Sequence, residues 1–187
     1  MGGRDHACWR QPEEAPSAEA LPAAAIDKPH VRGAGFGQHT TMSAATEIAM
    51  TRFLGGYNCA QAVLCAFCAE ASLSENAALK IATGLGAGMG RKQEVCGAVT
   101  GGILVLGLRH GRDSTGDRSA AELTYLKTRE LMDRFAARHG SCLCRELLPG
   151  YDLGTEEAQR RAKADDVVNK VCRPCVQTVV EILEDMQ

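Results

Sequence analysis

Aromatic residues are scarce in this sequence, with Phe, Trp and Tyr making up 4% of its 187 residues. A core must therefore be packed from Ala, Val, Leu and Ile, which exclude water only where backbones approach closely. Charge of one sign is lacking too. Lys plus Arg number 21 against 23 Asp plus Glu, a net charge of -2, which gives no basic footprint for a nucleic acid. Long apolar runs are absent. A bilayer span needs roughly 20 apolar residues, whereas the longest candidate, GAVTGGILVLGL from Gly97 to Leu108, is short and glycine-rich. The N-terminal stretch MGGRDHACWRQPEEAP has acids and prolines where a signal peptide needs an apolar segment. Gly2 would suit myristoylation, but His6 stands where that motif needs Ser or Thr. The expectation is a cytoplasmic chain without nucleic-acid or membrane partners.

Cysteine is abundant. Nine of them occur, at 8, 59, 65, 68, 96, 142, 144, 172 and 175. In a reducing compartment, such a count points to metal binding or redox chemistry before structural disulfides.

Residues 1–41 hold four of the six prolines and no apolar period. They read as a disordered leader, with Cys8 and Trp9 inside it, and 42–187 as a single helical domain beginning at Met42. Helical signals dominate after that point. Gly55 and Gly56 stop AATEIAMTRFL, and Asn58 can cap CAQAVLCAFCAEA. Ser72 with Glu75, and Ser119 with Glu122, have capping-box spacing. Tyr125, Met132 and Phe135 share one face of the long helix that Gly140 ends. CRELL makes a short turn before Pro149, Thr155 opens a polar helix to about Asn169, and Pro174 opens the last helix. No stretch alternates as a strand would. The fold class is all-α, a compact bundle of about five to seven helices with a glycine-rich loop and cysteines at helix N-termini.

Cys59, Cys96, Cys144 and Cys172 all fall at expected helix starts. Free N–H groups and the positive end of the helix dipole stabilise a thiolate there, and the thiolate is both nucleophile and metal ligand. Cys65 and Cys68 lie about 240° and 180° around the helix from Cys59, so they read as core residues. Neither CAFC nor CRPC is followed by His, which excludes covalent c-type haem. A zinc ribbon needs two close CxxC knuckles, and one candidate is inside a helix while the other is about a hundred residues away. Cys142 and Cys144, one residue apart, suit shared metal ligation better than a strained disulfide.

The segment GLGAGMGRK fails as a dinucleotide fingerprint. From Gly84 the third glycine would be Met89, and from Gly86 it would be Arg91. Its glycines instead allow close backbone approach. Gly86, Gly88, Gly90 and Gly97 are therefore candidates to lie against whatever the thiols hold. Gly97 and Gly101, four apart, let their helix pack closely on a neighbour, and that face could serve a homodimer. Arg91 and Lys92 read as solvated. His110 and His139 stand near element ends without paired carboxylates, so a ligand role has little support.

Taken in order, FLGGYNCAQAVLCAF, GLGAGMGRKQEVCGAVTGGILVLGL, CRELLPGYDL and a cysteine before VVEILEDM resemble the C-GCAxxG-C-C family of redox-active proteins. The likeness runs from about residue 45 to the C-terminus. It matches Cys59, Cys96 and Cys144 to the family's first three cysteines, although the local order at Cys96 is Cys-Gly-Ala. Cys172 fits the fourth, with Cys175 in the same block as the alternative. The family is small and mostly helical, and a similar module accompanies haem in the split-Soret type of cytochrome beside a cysteine-bound iron–sulfur centre.

Three functions follow as expectations. The first is a redox protein holding an iron–sulfur cluster, or less readily zinc, through Cys59, Cys96, Cys144 and Cys172, with an unidentified electron partner. The second is a metal-free thiol–disulfide oxidoreductase in which Cys96 or Cys59 is the catalytic thiol. The third is a helical interaction module whose cysteines only pack.

Overall fold

The computed structural model describes residues 42–186; the leader expected over 1–41, with Cys8 and Trp9, lies outside the described residues. Eight right-handed α-helices follow one another: α1 (Ala44–Leu54), α2 (Cys59–Phe67), α3 (Glu75–Ala82), α4 (Gly97–His110), α5 (Arg118–His139), α6 (Cys144–Leu147), α7 (Glu156–Ala164) and α8 (Arg173–Asp185). No strand occurs among the described residues, and the all-α class holds. The count slightly exceeds the expected range. One turn, α6, stands as a helix by itself, and extended pairing among the described residues is limited to a single antiparallel bridge between Val95 and Leu143.

Small residues let these helices meet. A Cβ on Gly101 would fall 2.8 Å from the Ala60 carbonyl oxygen and 3.0 Å from Val63 Cβ, so α4 lies against the α2 backbone. One on Gly102 would meet Leu131 of α5 at 2.8 Å and Val179 of α8 at 2.9 Å. Helix α4 is thereby wedged among three others, backbone against backbone at α2 and with its glycine face receiving side chains of α5 and α8. The Gly97/Gly101 face is consumed inside the chain and offers no surface to a second copy. The apolar face of α8, Val176, Val179, Val180, Ile182 and Leu183, is fully buried. Burying each such side chain stabilises the fold by about 1.5–3 kcal/mol.

Several local expectations change. Ser74, not Ser72, caps α3 by accepting from the Ala77 N–H. Ser72 lies outside the helix at positive φ. Asp117, not Ser119, caps α5 by accepting from Ala120, and a carboxylate satisfies that end more strongly than a hydroxyl. Phe135 is buried, but Tyr125 is 55% exposed, because only the second half of α5 crosses the core. The polar helix ends at Ala164, where Asp166 takes positive φ. A π turn over Val168–Cys172 then runs directly into α8.

Candidate redox site

Five cysteines line one cavity of about 290 Å³. Cys59 is the first residue of α2, Cys96 caps α4, and Cys144 opens α6. Cys172 stands where the π turn passes into α8, and Cys175 lies one turn further on. The remaining wall is mostly apolar, including Phe53, Leu147, Leu148, Leu153, Val167 and Val171, with Asn58 as a polar side chain. Cys96, Cys144 and Cys175 are buried, while Cys59 and Cys172 are half-buried.

The backbone brings these thiols together through close contacts. Asn58 accepts from the Gln61 N–H at 3.0 Å and the Gln61 side chain accepts from the Asn58 N–H at 3.0 Å, a reciprocal cap that fixes the start of α2. Asn58 also donates to the Thr83 carbonyl at 2.9 Å, tying that start to the end of α3. A Cβ on Gly97 would fall 3.2 Å from Cys59 Cβ, so the α4 start abuts the α2 start. One on Gly86 would strike Asn58 Cγ at 2.2 Å, and one on Gly88 would strike Cys144 Cβ at 2.6 Å. Gly88 and Gly97 line the cavity, whereas Gly86 and Gly90 do not.

Between Gly86 and Gln93 the chain winds left-handed. Ala87, Gly88, Met89, Gly90 and Arg91 have φ of 52°, 63°, 61°, 62° and 72°, and Gln93 has 57°. For a non-glycine residue this conformation costs roughly 1–2 kcal/mol. Such strain is held only where surrounding contacts overdetermine it. Here Gln93 supplies them: its carbonyl accepts from Arg145 N–H at 3.0 Å, and its side-chain oxygen accepts from Leu153 N–H at 2.8 Å. On either side of the Val95–Leu143 bridge, Cys96 N–H donates to Cys142 O at 2.8 Å and Cys144 N–H to Glu94 O at 2.7 Å. That short ladder sets Cys96 beside Cys144.

The cavity thiols do not share one protonation behaviour. The neighbouring Cys172 thiol, then burial, holds the Cys59 thiol well above its ordinary value. The Cys59 thiol in turn lowers Cys172. In a second pair, Cys175 lowers Cys96, with help from the Ala98 and Val99 N–H groups, and Cys96 raises Cys175. Burial pushes Cys144 up to about 12, with Cys96 and Cys172 adding to it. The helix-start argument thus holds for Cys96, where helix N–H groups help; Cys172 is lowered by its partner thiol and not by a helix end. It fails at Cys59 and Cys144, where a partner thiol and burial outweigh about half a unit of dipole charge.

The other cysteines lie elsewhere. Cys65 and Cys68 are buried in the core between helices, and Cys68 donates to the Cys65 carbonyl at 3.3 Å. Cys142 donates to Met132 O at 3.3 Å and lines no part of the cavity, so it shares no ligand site with Cys144. Among the described residues, no group of three or more Cys, His, Asp or Glu is disposed to hold a metal ion.

Two participants were given only a secondary place from sequence, Cys175 as the alternative to Cys172 and His139 as a ligand with little support. Cys175 lines the cavity, and His139 stands behind it with Nδ1 3.9 Å from Cys175 Sγ. The i,i+3 spacing of Cys172 and Cys175, which puts both on one helix face, was the available signal for the first. Nothing local marks the second, because 36 residues separate His139 from Cys175.

The family model described as "Putative redox-active protein (C_GCAxxG_C_C)" matches residues 57–186. The chain belongs to this family. The matched span contains all five cavity cysteines, and the four-block resemblance of the sequence holds. No curated protein and no solved structure matches the chain. No helix among the described residues is long and apolar enough to cross a membrane.

Proposed function

We propose that the cysteine-lined cavity is a dithiol redox centre, in which Cys172 attacks and Cys59 resolves. The observation that carries this reading is that Cys59 and Cys172 are the two half-buried thiols of the cavity, each shifting the titration of the other. A thiolate attacks only where a sulfur can reach it, and a lowered pKa raises the fraction that is ready.

The reaction balances with a disulfide RSSR as the oxidant. Cys172 thiolate attacks one sulfur, giving a Cys172–S–S–R mixed disulfide and RS⁻. Cys59 then loses its proton to solvent and attacks Cys172 Sγ, releasing the second RS⁻. The net change is one protein dithiol oxidised to a disulfide and RSSR reduced to two thiols. The apolar wall favours a partner that buries its own disulfide against Phe53 and Leu153. The eight cysteines among the described residues are all free, which suits a reducing cytoplasm that would regenerate the dithiol.

A second reading is favoured by the joint convergence of Cys59, Cys96, Cys144 and Cys172 on one apolar space. The donor set is all thiol, as iron–sulfur clusters require, and those four residues would be the ligands. When bound, a cluster would supply one-electron transfer. The arrangement of the sulfurs supports the dithiol reading better, since no three of them form a metal-holding group.

The experiment is a thiol count on anaerobically purified protein across a graded series of dithiothreitol redox buffers, with iron, zinc and acid-labile sulfide measured in parallel. The dithiol reading expects a reversible two-electron loss of thiols and no stoichiometric metal. Stoichiometric iron and sulfide with no reversible thiol transition would replace it with the cluster reading.

A further inference from the structure

Resting on the dithiol reading, we propose that Cys96 and Cys175 form a second, inner redox pair that takes the oxidising equivalent from the Cys59–Cys172 disulfide, with His139 accepting the Cys175 proton.

The placement of three groups carries this. Cys175 and Cys96 are 1% and 5% exposed, behind the half-buried outer pair in the same cavity. Each of the two thiols shifts the titration of the other, as Cys59 and Cys172 do. The start of α4 places Cys96 beside the outer pair, since Cys59 Cβ rests against the adjacent Gly97. Packing alone would not require two cysteine pairs on the wall of one cavity.

His139 completes the inner pair. Its Nδ1 lies 3.9 Å from Cys175 Sγ, and its Nε2 lies 2.8 Å from Thr178 Oγ1. With Nε2–H donating to Thr178, Nδ1 carries the free lone pair and faces the thiol. The ring stacks on Phe135 at 4.6 Å between centroids, which holds that orientation. His139 is only half-buried, so a proton received from the sealed cavity can pass outward. Burial and then Arg138 keep the imidazole on the neutral side.

The transfer needs no oxidant beyond the disulfide already formed. Cys96 thiolate attacks Cys59 Sγ of the outer disulfide, and Cys172 leaves as thiolate. Cys175 passes its proton to His139 and attacks Cys96 Sγ, and Cys59 leaves as thiolate. A proton from His139 reaches Cys59 through solvent. One disulfide is consumed and one is formed, and the dithiol Cys59/Cys172 is restored.

The test is disulfide mapping of the full chain by mass spectrometry after timed treatment with oxidised glutathione and an acid quench. The proposal expects Cys59–Cys172 to form first and Cys96–Cys175 to follow. Cys175→Ser should stop oxidation at the outer pair. His139→Phe keeps the aromatic stack and loses the ring nitrogens, so it should slow the inner bond at least tenfold while the outer bond forms at the normal rate. Should that variant fold poorly, Thr178→Val keeps the ring but frees its tautomer, and it should slow the same step. An outer disulfide that forms while Cys175 stays alkylatable overturns this proposal alone, as does an unchanged inner rate in both variants. No disulfide at either pair overturns the dithiol reading with it.

Discussion

Gly88 lies so close to Cys144 that a Cβ added to it would stand 2.6 Å from the cysteine's own Cβ. This contact presses the left-handed segment onto the third of the family's cysteines. The glycine also has φ of 63°, so a side chain there is opposed twice, by backbone and by sulfur-bearing neighbour. Gly88→Ala should lower stability by about 2–4 kcal/mol, combining left-handed strain with overpacking. Urea denaturation measures it. A loss below about 0.5 kcal/mol would mean that the loop yields freely and does not position Cys144.

Cys172 should react fastest of all the cysteines with iodoacetamide near neutral pH. It is half-buried and its thiol is lowered by the neighbouring Cys59 thiol. Its alkylation midpoint should lie below the ordinary thiol range and rise in Cys59→Ala, which removes that neighbour. Mass spectrometry of timed samples across pH 6–10 reads this directly. Faster labelling at Cys65, which burial raises to about 11, would contradict it.

Cys144 gives the fold an alkaline limit. Its folded value of about 12 lies above the unfolded thiol value near 8.5. The folded state therefore keeps a proton that the unfolded chain releases. This contribution to stability is full below about pH 8.5 and is lost as pH rises towards 12. The urea midpoint should fall between about pH 8.5 and pH 10.5, and less steeply in Cys144→Ala. Parallel slopes for the two proteins would remove Cys144 as a cause.

A chain beginning at Met42 should fold as the full chain does. Ser43 remains to accept from the Thr46 N–H at 3.1 Å, so the cut leaves the cap of α1 whole. The melting temperature should change by less than about 3 °C. A larger drop would assign the first 41 residues a structural part.

Sequence made the helices legible because their ends carry local chemistry. Asn58, Gly140 and Thr155 stop or cap helices where expected. Caps failed where two candidates stood close together, as at Ser72 and Ser74, because only tertiary context chooses between neighbouring hydroxyls. Convergence of Cys59, Cys96, Cys144 and Cys172 was foreseeable from helix starts. Their pairing was not, because it depends on which thiols meet across a gap between helices. The place of His139 beside Cys175 lay beyond reach for the same reason. The glycines were read as backbone that comes close to something; Gly86 and Gly88 come close to Asn58 and Cys144 themselves.

The most direct test of the central claim is to map the linked cysteines after equilibration with a twofold excess of oxidised glutathione. The account predicts a Cys59–Cys172 disulfide that dithiothreitol reverses, with Cys65, Cys68 and Cys142 still alkylatable after denaturation. Cys59 and Cys172 both recovered as free thiols, or each linked to a cysteine outside the cavity, would contradict it.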